Sequence, residues 1–329
     1  MARPIRHVPR DTSRRRAWVY VAVTAFIAAD ILLVVLALGS TRNTDAAEAT
    51  RPIPTFTSAS VIDPTAAPTP TPTPTATPAA ATILPLPTTR LLGAVDAQTA
   101  WRAQTGACPA TAASPELTTD GGATWKPTDA TGKAKVTSIQ RLMATSESVV
   151  EMVGLTKTDC APQFVKSFVA GDNYSAYPDK LTGTWFVNPA DRATVHAPDG
   201  DAKAPCTSVV TLAVRNDTSA AALCADGRLF ATEDSAATWS SPVTVPGAVA
   251  LNATDTGYLA AAVVRPDCAG VQLLTLSPAL ESTEAGCFKT AAQPASLAGN
   301  LAVSSAAGTI WLWAGDAFKR SADGGVTWE

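Results

Sequence analysis

At 329 residues, with a formal net charge of −3 and 16% charged side chains, the chain has room for one large domain with flanking segments but not for several domains. Residues 90–329 carry 17 Lys and Arg against 23 Asp and Glu, with no basic stripe and no aromatics set among the Lys and Arg, which argues against a nucleic-acid partner. No Cys-x-x-Cys pair occurs and His196 is the only histidine of this part, so neither a metal nor a cofactor is expected.

Residues 1–16 hold six Arg against the single acid Asp11. The mostly apolar run at 17–39 covers 23 positions. That is the length of a helix spanning a ~30 Å hydrocarbon core, and it exceeds the ~7–15 apolar residues of a cleaved signal peptide. The pattern is that of an uncleaved signal anchor: residues 1–16 stay in the cytoplasm and everything after Ser40 lies beyond the membrane. The expected location is the cell membrane, crossed once. Asp30 falls near the middle of the run, where an ionisable group costs about 2.5–3.5 kcal/mol on insertion scales. Either it pairs with a second transmembrane helix, which Ala25, Ala28 and Ala29 let approach, or it is carried alone, protonated or snorkelling. Residues 40–89 follow as a Pro/Thr-rich stalk, with ten Pro within 51–89 and a Thr-Pro alternation over 68–74. Such a chain favours polyproline II and cannot bury a core, so it is expected to be a disordered, semi-rigid spacer.

Residues 90–329 read as all β. Five apolar stretches, 91–95, 136–143, 209–214, 248–251 and 301–304, each precede a second one, at 99–103, 149–153, 220–224, 258–264 and 309–313. The units close near Trp125, Trp185, Trp239, Phe288 and Trp328, at spacings on the order of 50 residues, as four-stranded blades do. Three closures share a phrase: Thr118-x-Asp120-x-Gly122-x-Thr124-Trp125, Thr232-x-Asp234-x-Ala236-x-Thr238-Trp239 and Ser321-x-Asp323-x-Gly325-x-Thr327-Trp328. The Asp is placed to accept hydrogen bonds from the turn after it, Gly supplies positive φ, and Trp anchors the returning strand. The middle copy has Ala236 in the Gly place, so a looser turn is expected there. Gly183-Thr184-Trp185 and the segment 284–288 read as degenerate copies. Only Glu329 follows Trp328, so closing the ring is expected to require residues 83–86 as an added outer strand, or else an open, partnered ring.

The phrase resembles the Asp-box, or BNR repeat, of β-propellers, here in a bacterial, membrane-anchored setting. The resemblance implies a propeller of about five four-stranded blades over 90–329, with the Asp and Trp residues as fold determinants. It does not choose a function, since propellers of this kind include sialidases and other glycosidases, sortilin-like receptors, photosystem assembly factors and bacterial surface proteins. Sialidases resemble one another in a Phe/Tyr-Arg-Ile-Pro motif and an arginine triad. The nearest string here, Arg51-Pro52-Ile53-Pro54, lies in the stalk, and none of the arginines after it, Arg90, Arg141 and Arg192 among them, matches a family motif. No Gly-x-Ser-x-Gly elbow is present. No catalytic residue is assigned, and His196 reads as an exposed loop residue.

Six cysteines on the oxidising side of a membrane are expected to be disulfide-bonded. Cys206 with Cys224 and Cys268 with Cys287 would each tie neighbouring strands of one unit, which leaves Cys108 for Cys160. Long connections at 172–180 and 191–204 are the candidate binding loops, with Tyr174, Tyr177 and Asp179 as an aromatic and acidic ligand face. Trp101, Trp311 and Trp313 are expected in the core. The function expected is a non-catalytic, membrane-tethered head that binds a cell-wall glycan or an envelope protein. The alternative is a glycan-processing hydrolase, which a pair of carboxylates at the channel mouth would favour.

Overall fold

The computed structural model describes residues 83–329. The basic tail 1–16, the span 17–39 with Asp30, and the stalk as far as residue 82 lie outside the described residues. Among the described residues no helix is long and apolar enough to cross a membrane.

The fold is an all-β propeller of six blades, one more than the sequence pattern predicts. Blade 1 is β1 (Arg90–Ala94), β2 (Ala100–Gln104), β3 (Glu116–Thr118) and β4 (Lys126–Pro127). Blade 2 is β5 (Val136–Ala144), β6 (Val150–Thr156), β7 (Pro162–Ser167) and β8 (Ser175–Ala176). Blade 3 has three strands, β9 (Phe186–Asn188), β10 (Asp191–Ala197) and β11 (Gly200–Lys203). Blade 4 is β12 (Val209–Val214), β13 (Ala220–Cys224), β14 (Arg228–Thr232) and β15 (Val243–Thr244), and blade 5 is β16 (Ala248–Ala253), β17 (Tyr258–Ala262), β18 (Gly270–Leu276) and β19 (Ser282–Lys289). Blade 6 is β20 (Leu301–Ala306), β21 (Thr309–Ala314) and β22 (Ala317–Ser321). All ten predicted strands fall on real ones, because each is a mostly apolar stretch that is buried or half-buried along most of its length.

Blade 3 accounts for the difference in blade count. Its longest strand, Asp191–Ala197, is exposed or half-buried over its first four residues and places polar Thr194 and His196 beside buried Val195 and Ala197, so it lacks the apolar run that marks the other blades. The candidate loop 191–204 is therefore β10 and β11 rather than a loop. Trp185 explains why the blade is short by a strand. The indoles of Trp101 on β2 and Trp311 on β21 donate to carbonyls of the next blade's first hairpin, Ser146 at 3.1 Å and Asp96 at 2.9 Å. Trp185, just before β9, does the same to Asn216 and Asp217, each at 3.2 Å. It follows that β9 is the counterpart of the second strands, and the segment before it, with the short helix α1 (Pro178–Leu181), stands where a first strand would.

The ring closes without residues 83–86 as a strand. Leu92 and Ala100 of blade 1 share a core with Ala302, Trp311 and Trp313 of blade 6, and the Ala94 amide donates to Ser304 Oγ at 3.0 Å. Over this seam the Arg102 guanidinium lies 4.0 Å from the Trp125 ring and 4.9 Å from the Trp313 ring, and pairs with Glu116 at 2.6 Å. The end of the predicted stalk is already attached to the propeller: Ile83 packs on the core of blades 5 and 6, and the Thr89 amide donates to the Gly299 carbonyl at 2.7 Å. All three predicted disulfides form, Cys108–Cys160, Cys206–Cys224 and Cys268–Cys287.

Candidate functional site

The recurrent phrase folds into one turn, repeated. In the first copy Thr118 Oγ1 donates to Asp120 Oδ1 at 2.8 Å, and the Thr124 amide and hydroxyl donate to the same carboxylate at 2.9 and 2.6 Å. The Gly122 amide donates back to Thr118 Oγ1 at 2.9 Å. Ser321, Asp323, Gly325 and Thr327 repeat these bonds. So do Thr232, Asp234, Ala236 and Thr238, and the Ala236 turn is therefore not the looser one expected. Ser235 and Ala236 adopt φ of 57° and 66° to keep the turn, a strain that Gly avoids in the other copies. The Thr124 hydrogen bonds to Asp120 and the Thr327 bonds to Asp323 are the largest cause holding each carboxyl down at about 2, and Asp234 is lowered in the same way. The aromatic residue then reaches the preceding blade, Trp125 against Phe318 at 4.8 Å and Trp328 against Phe288 at 5.6 Å, while the Trp239 indole donates to the Lys203 carbonyl at 3.2 Å. These residues are structural staples.

A fourth turn of this shape is hidden at 167–174. The Gly171 amide donates to Ser167 Oγ at 3.0 Å, Ala170 and Gly171 have positive φ, and Tyr174 stands in the Trp place. Tyr174 is therefore buried and its hydroxyl is 2.7 Å from Thr128 Oγ1. This corrects its assignment to an exposed ligand face, and burial pushes the hydroxyl up to about 12. Tyr177 caps α1 and packs edge-on against Phe168 at 6.2 Å, and Asp179 is exposed on α1, so the three residues do not converge. The presumed degenerate copies are not turns: Trp185 begins blade 3, and residues 284–288 lie within β19. His196 is not a loop residue either. It lies on β10, stacked on Phe186 at 4.5 Å, with Nδ1 2.6 Å from Asp201. Trp101, Trp311 and Trp313 are buried, as expected.

One concave feature of the described residues is the central channel, about 350 Å³ in volume, bordered by the first strands of blades 1, 2, 4, 5 and 6 and by β9 and β10 of blade 3. Its polar lining includes Gln140, Asn252 and Ser305 together with three arginines, Arg90, Arg141 and Arg192. Among the described residues no Asp or Glu lines it. Arg141, in the middle of β5, donates to the Trp185 carbonyl at 2.9 Å, and Arg192, near the start of β10, to the Val209 carbonyl at 3.1 Å. The Arg90 guanidinium lies over the Trp313 ring at 4.3 Å. Burial lowers all three, Arg141 to about 10, while Glu151 and Asp217 oppose the effect at Arg141 and Asp316 at Arg90. These arginines carried no motif in the sequence. The signal that would have found them is their place on strands that border the channel.

No protein-family profile matches the chain, and no curated protein sequence matches it. Among solved structures it is similar to YCF48 bound to D1 peptide, with 19% identity over 78% of this chain and 88% of that one and a TM-score of 0.28. YCF48 from Cyanidioschyzon merolae is 17% identical over 75% of this chain and 86% of that one, with a TM-score of 0.28. The GH74 xyloglucanase from Xanthomonas campestris is 18% identical over 73% of this chain but only 37% of its own length, with a TM-score of 0.26. At these identities the likeness is one of fold alone.

Proposed function

We infer that the chain is a non-catalytic, ligand-binding Asp-box propeller, held on the outer side of a membrane by residues 17–39. The observation that carries this reading is the composition of the channel. Hydrolysis of a glycoside by the usual routes needs two carboxylates, ~5–5.5 Å apart for retention or ~6.5–9.5 Å for inversion. The lining of the channel supplies none among the described residues. The space itself is open, and its size falls near the low end of the ~300–1,000 Å³ typical of small-ligand pockets, which favours a binding head over a purely structural scaffold. A cell-wall glycan terminus or an envelope protein segment is the partner class this placement suits.

The test presents the full chain, purified in detergent with its disulfides intact, to an array of cell-wall glycans and oligosaccharides while reducing ends are counted in the same wells. Retention without new reducing ends is the expected result. Turnover of any glycan would overturn the non-catalytic reading and favour the hydrolase.

A further inference from the structure

We propose that the central channel is an oxyanion site, which takes a small carboxylate- or phosphate-bearing ligand on the guanidinium groups of Arg90, Arg141 and Arg192. This deepens the reading of the head as a ligand-binding module and rests on it.

The first support is the charge balance. Residues 90–329 carry an excess of acids, yet the lining of the channel holds three arginines and, among the described residues, no carboxylate. Of the five described arginines outside the channel, four are neutralised at contact distance, Arg102 by Glu116, Arg228 by Asp226, Arg265 by Glu284 and Arg320 by Glu329, and the fifth, Arg215, lies over the Tyr258 ring at 5.8 Å. Among the described residues no ion pair takes Arg90, Arg141 or Arg192. Asp316, Glu151 and Asp217 act on them only through space. Withdrawing a cation from water without a contact partner is costly, and burial is the largest effect on each of the three. An anion in the cavity relieves that penalty.

The second support is donor capacity. A guanidinium has five N–H donors. Arg141 and Arg192 each give one to a backbone carbonyl, which fixes the head group at the cavity wall and leaves the others for a ligand. Burial depresses all three groups, but Arg141 at about 10 is still a cation at neutral pH.

The third support is access. Because blade 3 has no first strand, β9 and β10 border the channel directly, and Phe186, Val187 and Arg192 line it. A volume of about 350 Å³ holds a molecule of citrate size or the end group of a longer one, but not a polymer chain in passage.

The experiment is calorimetric titration of the full chain in detergent at low ionic strength, with citrate and inorganic phosphate as separate probes. Binding of at least one probe is expected, weakened about tenfold by Arg141→Gln and by Arg192→Gln, and changed less than about twofold by Arg228→Gln, which removes a surface arginine. Tighter citrate assigns the natural ligand to carboxylates, and tighter phosphate to phosphate esters. Either supports the site. If the channel variants fail to fold, phenylglyoxal modification of the unaltered chain replaces them: citrate or phosphate should slow labelling of Arg141 and Arg192 but not of Arg228. No binding of either probe, equal weakening by Arg228→Gln, or unprotected channel arginines would overturn the proposal. Glycan turnover alongside intact anion binding would instead sink the non-catalytic reading and leave this site standing.

Discussion

Asp120 accepts hydrogen bonds from three groups of its own turn and Asp323 from four, the Val326 amide being the fourth, and the ionised carboxylate is the form that accepts them all. Both are held at about 2, against about 3.9 for an unfolded Asp. The folded state therefore binds fewer protons than the unfolded state between these values. Its stability from these turns is full above about pH 4 and is lost as pH falls towards 2. The double variant Asp120→Asn, Asp323→Asn should melt lower than the parent at pH 6, with the gap closing between pH 4 and 2. Melting curves that stay parallel across that window would show that the carboxylate charge is not what the turns use. These turns were legible because eight residues are spelled almost the same way three times. The turn at 167–174 was not, since Val169 and Asn173 replace the Asp and Thr, and only Ser167 and Gly171 keep the geometry.

At the scale of elements, the seam between blades 2 and 3 is the thin one. Its core is Val153, Phe164 and Phe186, whereas blades 4 and 5 share fifteen buried residues, including Leu223, Leu229, Leu251 and Leu274. Local opening follows the number of buried contacts that must be broken. Amides of β9 and β10 should exchange with deuterium at least about 100-fold sooner than those of β13 and β17. Uniform protection around the ring would mean that the hydrogen bonds of Trp185 and Arg141 compensate for the missing strand. The same thinness hid this blade from sequence reading, because a strand such as Asp191–Ala197, with only Val195 and Ala197 buried and with Asp, Arg, Thr and His between apolar positions, has no apolar run to announce it. The channel arginines were hidden for a related reason: the side facing the axis depends on how the blades sit around the ring, and spacing along the chain does not encode that.

At the scale of the whole molecule, no strand is exchanged among the described residues where the ring closes, so blade 1 is held by side-chain packing and scattered hydrogen bonds on both sides and by one covalent link. Cys108, in the connection after β2, joins Cys160, in the turn between β6 and β7, at a sequence separation of 52. The other bridges connect positions 18 and 19 apart, within or next to one blade. In the chain-entropy account a loop of the longer size stabilises by about 4 kcal/mol and loops of the shorter size by about 3 kcal/mol. The long bridge also prevents blades 1 and 2 from separating, which would otherwise release the seam sealed by Trp311 and Arg102 from its other side. Replacing Cys108 and Cys160 by Ser should therefore cost about 1 kcal/mol more than replacing Cys206 and Cys224, read as the difference in denaturant midpoints at equal slope. A lower slope confined to the Cys108 and Cys160 variant would add that the ring opens before its blades unfold, whereas equal losses in the two variants would show that this bridge does not govern closure.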